Sequence, residues 1–340
     1  MPQYPDVTAP PAPKFPEDWP KLGLGCAPLG DLFDPIPEVD AFALLNAAWA
    51  AGVRFYDTAP WYGHGISEHR LGALLRQHDR ADALISTKVG RVYTPAPRGE
   101  DVRITWKGGL NFARHFDYTA DGFSASIAQS QLRLGTPVID MLVIHDLDAP
   151  HHGDAMEGHV DELMRSGFPH LQELKATGVI SAIGMGVNRT VEFERFSDEI
   201  PVDYFIVAMP YTLLDQGSLH GPMARCVERG IKVVIGAPLA SGILSNPSAP
   251  GVRYAYEPAP EPIVKKALAI EAVCKRYDVP LTAAALQFPL LHPAVTSVIP
   301  GANVAAHIEA NVRNVSMPIP PELWADLKRD GLIAEDAPTG

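Results

Sequence analysis

Four polar side chains in the first half of the chain could together move a proton. Asp57 ends a short apolar run, Tyr62 lies five residues further on in DTAPWYGHG, Lys88 ends LISTK, and His145 ends MLVIH. A free phenol, with a pKa of about 10, is a poor base at neutral pH, but a nearby ammonium favours the phenolate. A carboxylate can hold the lysine in place, and a histidine can orient a substrate oxygen. We expect this set to move a proton on a carbinol oxygen while another group takes the hydride.

The elements expected to position these residues alternate between helix and strand. Helical patterns end at Gly52, Gly135, Gly178 and Gly230, and a β-branched run follows each glycine at once, which is typical of parallel βα units. The eight predicted strands are Leu22–Cys26, Val53–Tyr56, Leu84–Lys88, Met141–His145, Ile180–Gly186, Tyr204–Met209, Lys232–Ile235 and Val295–Ile299.

Eight βα units predict an α/β fold, a single (β/α)8 TIM barrel with extra helices. A doubly wound sheet is the alternative, but it would show GxGxxG after its first strand, where this chain has GLGCAPLG. Residues 91–118 and 237–262 are predicted to be long loops on the C-terminal face, where barrel active sites lie. The predicted domains are a Pro-rich tail at 1–20, the barrel at 21–330 and a C-terminal tail at 331–340.

Composition limits the classes of partner. The 28 basic and 40 acidic residues give a net charge of −12, which argues against nucleic acid or an anionic membrane as a partner. No apolar window is long enough to span a membrane, and the N-terminal segment does not have the pattern of a signal peptide. Three distant cysteines, Cys26, Cys226 and Cys274, predict reduced thiols in a cytoplasmic protein.

Several segments carry a family resemblance. DTAPWYG, STKVG, VIHD, GAPLASGIL and SVIPGANVAAHIEAN resemble the aldo-keto reductase superfamily, over about residues 22–311. The resemblance implies a (β/α)8 barrel that uses a nicotinamide dinucleotide and no metal. It implies that Tyr62 is the general acid/base, Lys88 lowers its pKa, Asp57 pairs with Lys88, and His145 orients the substrate.

The resemblance also implies a cofactor site in the second half of the chain. Asn188 matches the residue that holds the nicotinamide carboxamide, and Tyr211 matches the aromatic residue that stacks on the nicotinamide ring. Val187 and Ala208 replace a serine and a glutamine that are usual in the family, so two hydrogen bonds are expected to be missing. The segment that matches the family's cover over the pyrophosphate contributes Pro238, Leu239, Ser241 and Gly242.

The segment after the last strand bears on the choice of nicotinamide. Relatives that use NADPH place Lys or Arg after the Ile-Pro of this strand and another basic residue one turn into the next helix, where both grip the 2′-phosphate. In this chain Pro300 is followed by Gly301 and Ala302, and His307 stands one turn later, with Asn311 left for the adenine. We therefore predict NAD rather than NADP, although Arg313 could compensate.

Sequence segments that flank these motifs favour one subgroup of the superfamily. GLGCAPLGDLF, FDYTADG and IHDLD resemble NAD-dependent aldose 1-dehydrogenases and pyridoxal 4-dehydrogenases. This implies oxidation of the hemiacetal carbon of an aldose such as L-fucose, L-galactose or D-arabinose to a lactone. Oxidation of pyridoxal to 4-pyridoxolactone is one alternative. A non-catalytic barrel that senses cofactor or binds a partner is another, and the sequence leaves the oligomeric state open.

Trp61, Trp106 and Asp146 are the candidate substrate contacts. The two tryptophans could equally be packing residues, and Asp146 could either bind a sugar hydroxyl or begin a solvated loop. His151 and His152 follow Asp146 in HDLDAPHHGD, but their spacing fits no familiar ligand set, so no metal is expected.

Overall fold

The computed structural model describes residues 19–103 and 105–339. The predicted Pro-rich tail lies outside the described residues except for Trp19 and Pro20. The strands are β1 (Leu24–Gly25), β2 (Phe55–Asp57), β3 (Leu84–Val89), β4 (Arg91–Pro95), β5 (Phe112–Phe116), β6 (Met141–Ile144), β7 (Ala182–Val187), β8 (Tyr204–Ala208), β9 (Lys232–Gly236), β10 (Arg253–Tyr254), β11 (Glu257–Pro258) and β12 (Val295–Ile299).

The helices alternate with these strands along most of the chain. They are α1 (Glu38–Ala50), α2 (Ile66–Leu75), α3 (Ala120–Leu134), α4 (Ala149–His152), α5 (Met156–Glu162), α6 (Phe168–Ala176), α7 (Thr190–Glu199), α8 (Ala224–Arg229), α9 (Glu261–Arg276), α10 (Leu281–Leu290), α11 (Ala305–Ser316) and α12 (Pro321–Arg329). Within the described ranges, no helix is both long and apolar enough to cross a membrane.

Eight strands form one sheet in the order β1-β2-β3-β6-β7-β8-β9-β12. The pairs β2–β3, β3–β6, β7–β8, β8–β9 and β9–β12 are all parallel. Leu22, just before β1, bridges Val298 of β12, so the first and last strands of the order are neighbours. This order, with helices between successive strands, confirms the predicted (β/α)8 class.

The chain divides into two compact units. Of the described residues, the first contains 26–45 and 54–183 except 104, and the second contains 19–25, 46–53 and 184–339. The four expected catalytic residues belong to the first unit, and every expected cofactor residue belongs to the second. The domain bounds expected from the sequence stay a prediction.

The sheet strands of the first unit are buried along their whole length. Every residue of β2, β3 and β6 is buried, as expected of parallel strands covered on both faces. The helix between β3 and β6 has defined ends: the Thr119 side chain accepts a hydrogen bond from Gly122 N at the start of α3. Gly135, with φ 65°, caps its end in the left-handed conformation that glycine adopts without strain.

The two predicted long loops contain antiparallel ribbons, which corrects the expectation for these segments. In residues 91–118, β4 pairs with β5 in a register that places Arg91 opposite Phe116 and Tyr93 opposite Arg114. In residues 237–262, β10 pairs with β11. Neither ribbon has the pattern of a helix followed by a buried parallel strand, so the pattern that predicts the barrel does not predict the ribbons. The half-exposed alternation in FARHF belongs to a strand with a solvated face.

Candidate active site

Strand register brings three of the expected catalytic residues to one end of the sheet. Asp57, the last residue of β2, stands opposite Ser86 of β3. Lys88 stands opposite Val143 of β6, and His145 follows β6 directly, with its N–H donating to Val89 O at 3.1 Å. The carboxyl ends of neighbouring parallel strands therefore present an acid, a base and an imidazole together.

The Lys88 ammonium is the centre of this group. It donates to Asp57 Oδ2 at 2.7 Å, to Thr58 O at 2.9 Å and to Tyr62 OH at 3.0 Å. Lys88 and Asp57 are both buried. Burial raises the pKa of the Asp57 carboxyl, and the Lys88 ammonium opposes that rise by favouring the carboxylate. The two side chains form a buried ion pair that leaves one ammonium N–H directed at the phenol.

Tyr62 is held by a tight turn that follows β2. Its N–H donates to Ala59 O at 3.1 Å, and the turn continues through Gly63 and His64, whose φ angles are 66° and 51°. Gly30 packs directly beneath, and a Cβ built on it would lie 2.4 Å from the Tyr62 carbonyl carbon. Only a glycine at position 30 allows this approach, so the backbone of Tyr62 has a fixed position.

Aromatic rings surround the phenol. Trp106, in the segment between β4 and β5, lies 5.6 Å from the Tyr62 ring and 5.7 Å from the Trp61 ring, centroid to centroid. Trp106 is buried, and its indole N–H has no partner within residues 19–103 and 105–339. The imidazole of His145 stands edge-on to Tyr62 at 6.0 Å. Trp106 therefore lies beside the phenol, and its expected role toward substrate stays a prediction.

Arg91 is a member of this site that the sequence reasoning missed. Its guanidinium donates to His145 Nδ1 at 2.9 Å and to Asp146 Oδ2 at 2.7 Å. It also lies over the rings of Trp61 and Phe116. In the sequence, Arg91 was only the first residue of a supposed loop. Arg91 lies three residues after Lys88, at the same end of β3, and this position is the sequence feature that could have predicted its place in the site.

Burial is the main influence on the ionisation of His145. Burial lowers the pKa of His145 well below its usual value, so the imidazole is neutral. Burial would raise the pKa of Asp146, but the hydrogen-bonded Arg91 guanidinium favours the carboxylate and holds this pKa well below the usual range. Asp146 is thus a buried carboxylate paired with Arg91, and it does not begin a solvated loop.

In the second unit, strand register again gathers the expected residues at one edge. Val187 pairs with Val207, and Gly236 pairs with both Ala208 and Ile299, so the ends of β7, β8, β9 and β12 lie side by side. Asn188 follows β7 and is half-buried. Segments 238–242 and 300–302 follow β9 and β12 in the same way.

Tyr211 is placed differently from the expectation. Its ring is fully buried, stacks on Phe288 at 5.6 Å and meets His292 edge-on at 5.2 Å. No face of the Tyr211 ring is exposed in the structure. The expected stacking on a nicotinamide ring would require the side chain to expose one. That role stays a prediction.

The segment after β9 is a tight turn with several residues in the left-handed conformation. Ala237, Ala240 and Ser241 have φ angles of 50°, 49° and 60°, although none of them is glycine. Gly242 continues the turn at 99°. Of the expected contacts here, Pro238 is buried, Leu239 is half-buried, Ser241 is half-buried and Gly242 is exposed. The N–H groups of Ala240 and Gly242 donate within the turn, to Ala237 O and Leu239 O, and the expected pyrophosphate role of this segment stays a prediction.

The segment after β12 presents no basic side chain at the expected positions. Gly301 is half-buried, Ala302 is buried, and His307 is exposed on α11. Asn311 on the same helix is buried, and its Nδ2 has no hydrogen-bond partner in the part of the chain that the structure describes. An unpaired buried amide is costly unless a ligand satisfies it, so the residues present fit an adenine nucleotide.

Comparison with protein families agrees with this geometry. The model of the aldo/keto reductase family matches residues 21–329, nearly the whole chain. The chain is an aldo-keto reductase.

Three relatives of this aldo-keto reductase carry named activities. It is 41% identical to the pyridoxal 4-dehydrogenase of Microbacterium luteolum and 39% identical to the D-threo-aldose 1-dehydrogenase of a Pseudomonas species, each over 92% of this chain and 94% of the relative. It is 30% identical to the L-galactose dehydrogenase of Arabidopsis thaliana, over 87% of this chain and 84% of the relative. The family and these relatives show that it is an oxidoreductase of the dehydrogenase type.

A solved structure supports the fold. The glycerol dehydrogenase of Gluconobacter oxydans superposes with a TM-score of 0.72 over 97% of this chain and 96% of the other, at 20% identity. At that identity the likeness bears on the fold alone.

This aldo-keto reductase has one group of side chains with metal-ligand geometry among its described residues. Atoms of Asp146, Asp148 and His151 lie within 4.8 Å of one another. Asp146 is already paired with Arg91, and Asp148 Oδ1 lies 2.6 Å from His151 Nδ1. The carboxylates are therefore engaged with cationic or N–H partners, and the sequence-based expectation that no metal binds stays a prediction.

Proposed function

We propose that this aldo-keto reductase oxidises the hemiacetal carbon of an aldose with NAD and releases a lactone and NADH. The observation that carries the proposal is the 3.0 Å contact between Lys88 Nζ and Tyr62 OH, with Asp57 buried behind it. That contact is the arrangement needed to hold a phenolate at the position where a hydroxyl proton must be removed.

The chain's own residues supply proton transfer and orientation. Tyr62, as phenolate, takes the proton of the anomeric hydroxyl. The oxygen of that hydroxyl can then form the lactone carbonyl. Lys88 stabilises the phenolate, and Asp57 fixes Lys88. When bound, an oxidised nicotinamide would supply the acceptor for the hydride of the anomeric carbon. Trp61, Trp106 and Asp146 are the proposed substrate contacts, the first two as an aromatic wall beside Tyr62.

The proposed cofactor contacts lie in the second unit. Asn188 is proposed for the carboxamide, the left-handed turn that contains Ser241 and Gly242 for the pyrophosphate, and Asn311 for the adenine. The unpaired Nδ2 of Asn311 and the unusual φ angles after β9 support this assignment. NAD is favoured over NADP because Gly301 and Ala302 offer no cation to a 2′-phosphate.

Pyridoxal is the second candidate substrate, and the 41% identity to a pyridoxal 4-dehydrogenase favours it. Pyridoxal also forms a cyclic hemiacetal, so the same removal of one proton and one hydride would give 4-pyridoxolactone. The proposal includes a cytoplasmic location and a small-molecule partner rather than nucleic acid or a membrane. The net charge of −12 agrees with the absence of polyanionic partners.

The deciding experiment is NADH formation with L-fucose, L-galactose, D-arabinose and pyridoxal, with the lactone product identified by mass. Turnover of one aldose above pyridoxal supports the main proposal, and the reverse ranking selects the alternative. Tyr62→Phe should abolish turnover while leaving the dissociation constant for NAD unchanged. Tight NAD binding without turnover of any substrate would instead favour a non-catalytic, cofactor-sensing role.

The choice of cofactor has its own test. The wild type should show a higher kcat/KM with NAD than with NADP. Ala302→Arg should raise kcat/KM with NADP, because it supplies the missing cation, and Asn303→Arg, at the exposed neighbouring position, is the matched control for added charge. A wild-type preference for NADP would overturn the assignment.

A further inference from the structure

His145 lies between a donor and a carboxylate, and the donor decides where its proton is. Arg91 Nη1 is 2.9 Å from His145 Nδ1, and Asp146 Oδ2 is 3.4 Å from His145 Nε2. A guanidinium carries N–H donors and no acceptor, so Nδ1 must be the acceptor of this hydrogen bond. In a neutral imidazole the single ring proton is then on Nε2.

A second proton on His145 is opposed by its surroundings. An imidazolium would direct an N–H at the Arg91 guanidinium and lose the hydrogen bond that now joins them. Burial is the largest influence lowering the pKa of His145, the charges of Arg91, Lys88 and His151 lower it further, and Asp146 alone raises it. The groups that face the imidazole are Tyr62, Lys88, Arg91, Asp146 and His151.

The guanidinium of Arg91 is held in one orientation by its surroundings. Its side chain is 1% exposed, its second Nη donates to Asp146 Oδ2 at 2.7 Å, and its guanidinium lies between 4.8 and 4.9 Å from the centroids of Phe116 and Trp61. Phe116 is its partner across the β4–β5 ribbon, so strand pairing fixes the backbone of Arg91, and the ring contact and the ion pair hold its guanidinium. A buried guanidinium with one carboxylate and one imidazole as partners is a positioning device rather than a surface charge.

We propose that Arg91 is a positioning residue that keeps His145 neutral with its proton on Nε2. His145 then donates a hydrogen bond to the anomeric oxygen as negative charge develops there, while Tyr62 remains the group that takes the proton. The catalytic part of this inference rests on the proposed function, whereas the tautomer of His145 does not. Because His145 only donates a hydrogen bond and Tyr62 only takes the proton, the two groups do not compete for the proton of the anomeric hydroxyl.

The tautomer can be read without any substrate. Long-range proton–nitrogen spectra of protein labelled with ¹⁵N-histidine distinguish the two neutral tautomers and the cation, and His145→Gln assigns the signal. We expect the Nε2–H form to persist between about pH 5 and about pH 8, the range in which free histidine titrates. An Nδ1–H tautomer, or a cation appearing within that range, overturns the inference.

Arg91→Met is the informative variant. Without the guanidinium, Nδ1 can carry a proton and Asp146 loses its Arg91 partner. His145 should then become a cation near neutral pH, and its neutral form should no longer be confined to the Nε2–H tautomer. Arg114→Met is the matched control, because the Arg114 guanidinium also lies over the Trp61 ring, at 4.5 Å, and the structure gives it no hydrogen bond to His145. The control should retain the wild-type spectrum. An unchanged spectrum in Arg91→Met overturns the inference.

Kinetics test the catalytic part. In Arg91→Met we expect kcat to fall by on the order of 10²-fold, the KM for NAD to stay unchanged, and kcat/KM to acquire a new loss of activity on the acid side. Should the loss of the Arg91–Asp146 ion pair prevent folding, the double variant Arg91→Met with Asp146→Asn removes both charges and should still lose the Nε2–H preference. A wild-type pH profile in a variant whose spectrum has changed would overturn the catalytic role and leave the tautomer assignment standing.

Discussion

Lys88 Nζ lies 2.7 Å from a carboxylate oxygen of Asp57 and 3.0 Å from the hydroxyl of Tyr62, and the two contacts have different roles. The ion pair with Asp57 makes the buried ammonium tolerable. The remaining contact places positive charge beside the phenol, where it stabilises the phenolate. At the residue scale, the proposed reaction therefore depends on a cation that would be unstable in the core without its carboxylate.

Replacing that cation gives the first prediction. In Lys88→Met the phenolate loses its stabilising charge, so kcat should fall by about 10²-fold to 10⁴-fold and the remaining activity should rise only at higher pH than in the wild type. The measurement is kcat against pH with the best aldose or pyridoxal. Lys88→Met combined with Asp57→Asn controls for the buried unpaired carboxylate, and a pH profile identical to the wild type would contradict the role.

Sequence motifs predicted Lys88 and the two side chains that its ammonium contacts, because Asp57, Tyr62 and Lys88 stand at fixed distances from strand ends. They did not predict Arg91. Its partners, His145 and Asp146, lie more than 50 positions further along the chain and across the sheet. The burial of Tyr211 was also outside the sequence's reach, since a tyrosine after a strand can turn either to a ligand or to the core.

At the scale of elements, the position of Tyr62 depends on how closely two turns approach. The turn Pro28–Gly30 follows β1, and Tyr62–Gly65 follows β2. A Cβ at position 30 would meet the carbonyl carbon of Tyr62 at 2.4 Å and Gly63 N at 2.6 Å. Because the obstructing atoms are backbone, the contact could be relieved only by moving the turn that carries the phenol.

Gly30→Ala should therefore impair catalysis without touching a catalytic side chain. Moving the turn by a few tenths of an ångström displaces Tyr62 OH from Lys88 Nζ, and we expect kcat to fall by about 10-fold to 100-fold. The matched control is Gly158→Ala in α5, where an added Cβ meets nothing within 4 Å and the φ angle is ordinary. That control should keep full activity and gain up to about 1 kcal/mol of helix stability. Equal activity of the two variants would disprove the positional argument.

At the scale of the whole molecule, acid should act on stability through two opposing effects. The chain carries a net charge of −12 at pH 7, and its isoelectric point is about 5.4. Lowering the pH toward that point therefore reduces repulsion among its charges and should stabilise the folded chain. Histidines that are buried while neutral act in the other direction. Burial lowers the pKa values of His64, His145 and His152, and it lowers that of His292 to about 4.

The sign follows from proton binding. Between the unfolded pKa of about 6.5 and the folded pKa of about 4 for His292, the unfolded chain binds more protons than the folded one, so stability falls as the pH falls through this window. We expect the urea midpoint to decrease between pH 7 and pH 5 if the buried histidines outweigh the relief of charge repulsion. His292 Nδ1 accepts a hydrogen bond from Ala294 N, and His292→Asn keeps an acceptor while removing the titration. That variant should therefore show a shallower decrease than the wild type, and the exposed His307→Asn should not. A midpoint in His292→Asn that depends on pH as steeply as in the wild type would assign the acid sensitivity to other groups.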